Sequence, residues 1–90
     1  MQGKFAHKVS GGKLLKVSVE CDGGTLDSVR INGDFFAHPE DSIERLELEL
    51  AGIKVDNLEA AISKFVEKNK VKLYGISPRD VAYAIKEALK

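Results

Sequence analysis

The sequence has few of the residues from which self-contained chemistry is usually built. Its 90 residues include one cysteine, Cys21. That excludes an intramolecular disulfide and any cysteine-rich metal cluster. No apolar run approaches the ~20 residues that a membrane-spanning helix needs. Met1–Lys8 is polar, whereas a secretory signal would carry an apolar core there. Net charge is also missing, because 14 Lys and Arg balance 14 Asp and Glu. A dedicated nucleic-acid binder draws its affinity mainly from neutralising phosphates, so this balance argues against one. The expectation is a cytoplasmic protein that engages neither membrane nor nucleic acid.

Length sets the next bound. Folded domains mostly run ~50–250 residues, so residues 1–90 are read as a single domain. A domain of this size buries only ~60–65% of its unfolded surface, and docking to a partner would stabilise it. The chain is too short to hold a nucleotide site, a substrate tunnel and a catalytic apparatus together, which favours a binding module or subunit. What is present, 43% hydrophobic and 31% charged residues, is a globular composition. The charge is unevenly distributed: residues 1–20 sum to +3, residues 21–60 to −7 and residues 61–90 to +4. Solvated helix faces explain the acidic middle most simply, and a surface for a basic partner is the alternative.

The first third has the two-residue period of strands. Phe5–Val9 is a short candidate, followed by a turn at Ser10-Gly11-Gly12. Leu15, Val17, Val19 and Cys21 then alternate with Lys16, Ser18 and Glu20, giving one buried and one solvated face. Asp22-Gly23-Gly24 supplies turn chemistry, and Thr25–Ile31 returns with Val29 and Ile31 on one face. The other face of this meander shows Leu14, Lys16, Ser18 and Leu26. It is mixed in character and open to partial cover by a partner.

The remainder has helical periods. Pro39 fits a first helical position, with His38 as N-cap, and Gly52 fits the C-terminal cap; Ile43, Leu46 and Leu50 form the stripe between. Asp56 and Glu59 have capping-box spacing before Leu58, Ala61, Ile62, Phe65 and Val66. Val71–Tyr74 is read as a short extended segment. A third helix starts at Ser77-Pro78-Arg79-Asp80, with Ser77 as N-cap and Ile76 and Val81 spaced as a hydrophobic staple. The predicted fold is α+β: a three-stranded antiparallel meander followed by three helices packed on one sheet face.

Few constellations suggest chemistry. Gly11-Gly12-Lys13 lacks both the spacing and the Ser or Thr of a phosphate loop. It is read as a hairpin turn, with a Lys13 contact to a partner's nucleotide as the alternative. Cys21 falls on the buried face, where a thiol is usually inert. His7 and His38 have no ligand-spaced companions, so no metal site is expected. Glu40, Asp41, Glu44, Glu47 and Glu49 are read as an exposed helix face, and no catalytic residue is assigned. In Gly33-Asp34-Phe35-Phe36 the two adjacent aromatics point to opposite sides of an extended chain. One is expected to pack under the helices and the other, Phe36, to remain available to a partner.

Several of these segments, taken in order, resemble the C-terminal accessory domain of lipoate–protein ligases. They are Gly11-Gly12-Lys13 opening a strand, the Asp22-Gly23-Gly24 hairpin, Ile31-Asn32-Gly33-Asp34-Phe35-Phe36, Leu50-Ala51-Gly52-Ile53 and Gly75-Ile76-Ser77-Pro78. The resemblance spans about Phe5 to Leu89. It implies an accessory subunit of a split ligase that forms a heterodimer with a large catalytic subunit and has no complete active site of its own. ATP with Mg and lipoate would bind in that partner, which forms lipoyl-AMP and transfers the lipoyl group to a lysine of a lipoyl carrier domain. Within this frame Lys13 is the candidate for a contact to the partner's nucleotide. Gly33, Asp34, Phe35 and Phe36 are the candidate partner interface. Two alternatives stay open: a sulfur-transfer or iron–sulfur scaffold-like domain, which needs a reactive Cys21, and a generic protein-interaction module.

Overall fold

The alternation of Leu15, Val17, Val19 and Cys21 becomes the central strand of a sheet. The computed structural model describes residues 1–9 and 11–90; Ser10 of the first predicted turn lies outside the described residues. Strands β1 (Gln2–Lys8), β2 (Leu14–Asp22) and β3 (Thr25–Gly33) form an antiparallel meander in the order β1-β2-β3. Helices α1 (Ser42–Leu50), α2 (Leu58–Lys68) and α3 (Pro78–Ala88) follow. α3 packs on β1 and β2, α1 packs on β3, and α2 packs on the other two helices. The core between the layers holds Leu15, Val19, Leu46, Leu50, Leu58, Ile62, Val81 and Ile85, all essentially inaccessible. Burying each such aliphatic side chain contributes roughly 1.5–3 kcal/mol, so this layer dominates the stability of the domain.

Leu26 does not lie on the open sheet face as the simple alternation predicts. It is buried in the core, because the β2–β3 register slips between Glu20 and Cys21. Glu20 pairs with Ser28 while Cys21 pairs with Leu26, leaving Asp27 as the extra residue. Such a bulge reverses the facing of the residues beyond it. A disturbed ladder bond costs about 0.5–1.5 kcal/mol, less than the ~1.5–3 kcal/mol that a buried leucine contributes. The packing therefore wins.

A second small sheet joins distant parts of the chain. β4 (Phe36–His38) pairs antiparallel with β5 (Lys72–Tyr74), the segment predicted as extended. Its formation moves the start of the first helix. His38 is the last residue of a strand rather than an N-cap, which suits the extended preference of a residue preceding proline. Pro39, Glu40 and Asp41 form a turn, Ser42 N–H donates to the Pro39 carbonyl at 3.0 Å, and α1 begins three residues later than Pro39 suggested.

The predicted Asp56–Glu59 capping box does not form. α2 is preceded by a 3-10 turn, Val55–Asn57, and has no side-chain cap. Asn57 N–H donates instead to the Lys54 carbonyl at 2.9 Å, so backbone supplies what the cap would have supplied. α3 starts as predicted. The Ser77 hydroxyl accepts from Asp80 N–H at 3.2 Å, and the Asp80 carboxylate accepts from Ser77 N–H at 2.8 Å. Ile76 and Val81 are both buried beside this cap.

Candidate functional site

Three loops meet at one end of the meander. The β1–β2 turn is closed by Val9 N–H donating to the Lys13 carbonyl at 2.7 Å and by Gly12 N–H donating to the Val9 carbonyl at 2.9 Å. Gly11 and Gly12 take φ of 97° and 89°, a region open to glycine at no steric cost. The turn delivers Lys13 against the loop before α3. A Cβ at Gly75 would lie 2.7 Å from Lys13 Cγ, so the lysine stem rests directly on that glycine's backbone. This packing holds the residue half-buried, and no ion pair among the described residues engages its ammonium.

The third loop is Gly33-Asp34-Phe35-Phe36. Asp34 N–H donates to the Leu14 carbonyl at 3.1 Å, and the Asp34 carboxylate accepts from Leu14 N–H. The carboxylate is thus committed to fastening the end of β3 to the start of β2, next to Lys13. Gly33 makes the approach possible, since a Cβ there would lie 2.0 Å from the Leu14 carbonyl oxygen and 2.9 Å from the Phe35 ring. Phe35 is half-buried and packs on the core.

Phe36 points the other way and is 69% exposed. Its cross-strand partner across β4–β5 is Tyr74, itself 53% exposed. Directly opposed residues project from the same face of a sheet. The outcome is an exposed aromatic pair beside the loops that carry Lys13 and Asp34. Sequence reasoning singled out Phe36 and missed Tyr74. The extended character of Val71–Tyr74 was legible, but the pairing of Tyr74 with a residue 38 positions earlier had no local signal.

The remaining candidates are not drawn into this end. Cys21 is 8% exposed and sits in the core cluster, an environment that suppresses thiolate reactivity. His7 is half-buried against Tyr83, with ring centroids 4.9 Å apart, and stacks on Phe5 at 6.2 Å. His38 is exposed on β4. Glu47, one of the acids on α1, accepts from Ile31 N–H at 2.7 Å and so covers part of the outer edge of β3. Among the described residues no three of His, Cys, Asp and Glu converge as a metal-ligand group, and no helix is long and apolar enough to cross a membrane.

Comparison with known proteins bears on this arrangement. The family model described as bacterial lipoate protein ligase C-terminus matches residues 2–85. Lipoate-protein ligase A subunit 2 of Thermoplasma acidophilum is 34% identical over 73 residues, covering 81% of this chain and 77% of that protein. Among solved structures, a chain from an archaeal lipoylation system of the same organism superposes with a TM-score of 0.84. That system comprises a bi-partite lipoate protein ligase and its E2 lipoyl domain. Identity in the superposition is 33%, and 94% of each chain is covered.

Proposed function

The chain belongs to the bacterial lipoate protein ligase C-terminus family, and from that premise we propose that it is the small subunit of a two-part lipoate–protein ligase. Its role is to dock on a large catalytic subunit and complete the site in which lipoate and ATP form lipoyl-AMP. The partner then passes the lipoyl group to a lysine of a lipoyl carrier domain. The observation that carries this reading is the exposed Phe36–Tyr74 pair, set beside the Lys13 turn on a family member whose relative is itself designated a second subunit.

The physical case is one of positioning. Adenylation holds a carboxylate against an α-phosphate while water is kept away. A domain that closes over such a site supplies orientation and desolvation without contributing a nucleophile or general base. In this role the aromatic pair is the anchor, because large aromatics dominate interface energetics. Asp34 is a positioning residue that fixes the loop, and Lys13 is the group that extends toward the partner's nucleotide. The ATP, its Mg and the lipoate belong to the large subunit.

Calorimetric titration of the large subunit with this chain tests the docking. The wild-type chain is expected to form a stable heterodimer, and Phe36→Ala combined with Tyr74→Ala to weaken it at least tenfold. Unchanged affinity in the double variant would remove the aromatic pair from the interface. The sulfur-transfer alternative requires an accessible Cys21, and the buried position of that thiol is unfavourable to it.

A further inference from the structure

The sheet face turned away from the helices carries a compact group of cations. Two neighbouring cross-strand rows run Lys4–Ser18–Arg30 and Ala6–Lys16–Asn32. With strands ~4.8 Å apart and ~3.4 Å per residue along each, the α-carbons of Lys4, Lys16 and Arg30 form a triangle with sides of about 8–10 Å. Ser18 lies between Lys4 and Arg30 and Ala6 lies beside Lys16, and these two small side chains leave a low floor. The residues line a shallow, open hollow of about 460 Å³. Their long side chains are exposed and can converge over that floor.

These charges are uncompensated within the chain. The Lys90–Glu87 contact is the only ion pair among the described residues, so no carboxylate engages Lys4, Lys16 or Arg30. Glu20, in the next row between Gln2 and Ser28, is the nearest acid on this face by register. Glu47 of α1 lies across a groove from Arg30, but its carboxylate already accepts from Ile31 N–H. Neither the Ser18 hydroxyl nor the Asn32 amide takes part in the side-chain hydrogen bonds found among the described residues.

We propose that this hollow is a binding site for a small polyphosphate, either inorganic pyrophosphate or the phosphate chain of a nucleotide. Arginine offers a planar fork that matches phosphate oxygens in pairs, and lysines add point charges around it. Ser18, between Lys4 and Arg30, and Asn32, beside Lys16 on β3, supply neutral hydrogen bonds. The grouping of three cations around one hollow suits a compact multivalent anion. An extended acidic protein or a nucleic acid would instead be met by a long stripe of charge; Lys8 continues the face beyond Ala6 at one end, but Glu20 interrupts it at the other. The proposal concerns this chain alone and does not depend on the catalytic partner.

The test uses the isotope-labelled full chain, titrated separately with sodium pyrophosphate and with ATP at constant ionic strength while backbone amide signals are followed. Saturable shifts are expected at Lys16, Ser18 and Arg30. Lys16→Gln and Arg30→Gln should each weaken binding at least tenfold, whereas Lys64→Gln and Lys86→Gln on the helices should leave it unchanged. Melting temperatures of the variants confirm folding, and Lys4→Gln replaces any variant that fails to fold. Equal affinity for both compounds identifies the phosphates as what is recognised, and tighter ATP binding adds a contact to the nucleoside; both support the site. It is overturned by shifts spread over all lysines, by failure of both compounds to saturate, by unaltered binding in Arg30→Gln and Lys16→Gln, or by saturation with only an oligonucleotide or an acidic protein.

Discussion

Gly33, Asp34 and Phe36 occupy adjoining positions but obey different constraints, and substitution separates them. A Cβ at Gly33 collides with the Leu14 carbonyl oxygen, which is backbone and has little room to yield. Gly33→Ala is therefore expected to cost about 1–3 kcal/mol, as overpacking does, and to lower the melting temperature measurably. Asp34→Asn keeps an acceptor for Leu14 N–H but removes its charge. It should cost less than Asp34→Ala, for which about 1 kcal/mol is expected, in keeping with one exposed hydrogen bond. Phe36 buries little within the chain, so Phe36→Ala should shift the melting temperature by no more than a degree or two while weakening partner binding. A large fall in melting temperature with unchanged affinity would make Phe36 a core residue instead. Ser42 presents the opposite case, a buried hydroxyl without a hydrogen-bond partner. Removing it relieves a desolvated polar group, so Ser42→Ala is expected to be neutral or stabilising in thermal unfolding.

The elements differ in how far their sequences specify them. α3 is locally complete: its capping box, Pro78 at the first turn and the Ile76–Val81 staple all act within a few residues. Ser77→Ala should cost about 1 kcal/mol, which in a domain of this size is roughly 4–8 °C in melting temperature. The same locality made α3 legible in the sequence, as did the strict alternation of β2. Leu26 was misplaced because a bulge breaks the two-residue period without any glycine or proline to mark it. The start of α1 was misplaced because Pro39 is compatible with both a helix start and a turn, and the choice was made by β4 pairing with β5. That pairing is long-range, and three-residue strands carry too little pattern to reveal their partners. Part of the candidate site lay hidden for the same reason. Phe36 was recognisable as one of two adjacent aromatics, whereas Tyr74 joined it only through the second sheet.

At the scale of the whole molecule the domain has two contrasting surfaces and one end where three loops meet. The helices and the core-facing side of the sheet bury the apolar residues, and the opposite sheet face presents Lys4, Lys16 and Arg30. Lys13, Asp34, Phe36 and Tyr74 gather where the β1–β2 turn, the β3–β4 connection and the loop before α3 meet. In the role proposed above that end carries out no bond-making chemistry, and its contribution would be to hold a partner's site closed and ordered. The most direct measurement is the rate of lipoyl-AMP formation from lipoate and ATP by the large subunit, with and without this chain. A marked increase when the chain is added, diminished for the Phe36→Ala, Tyr74→Ala double variant, is the predicted result; equal rates with and without the chain would contradict the subunit assignment.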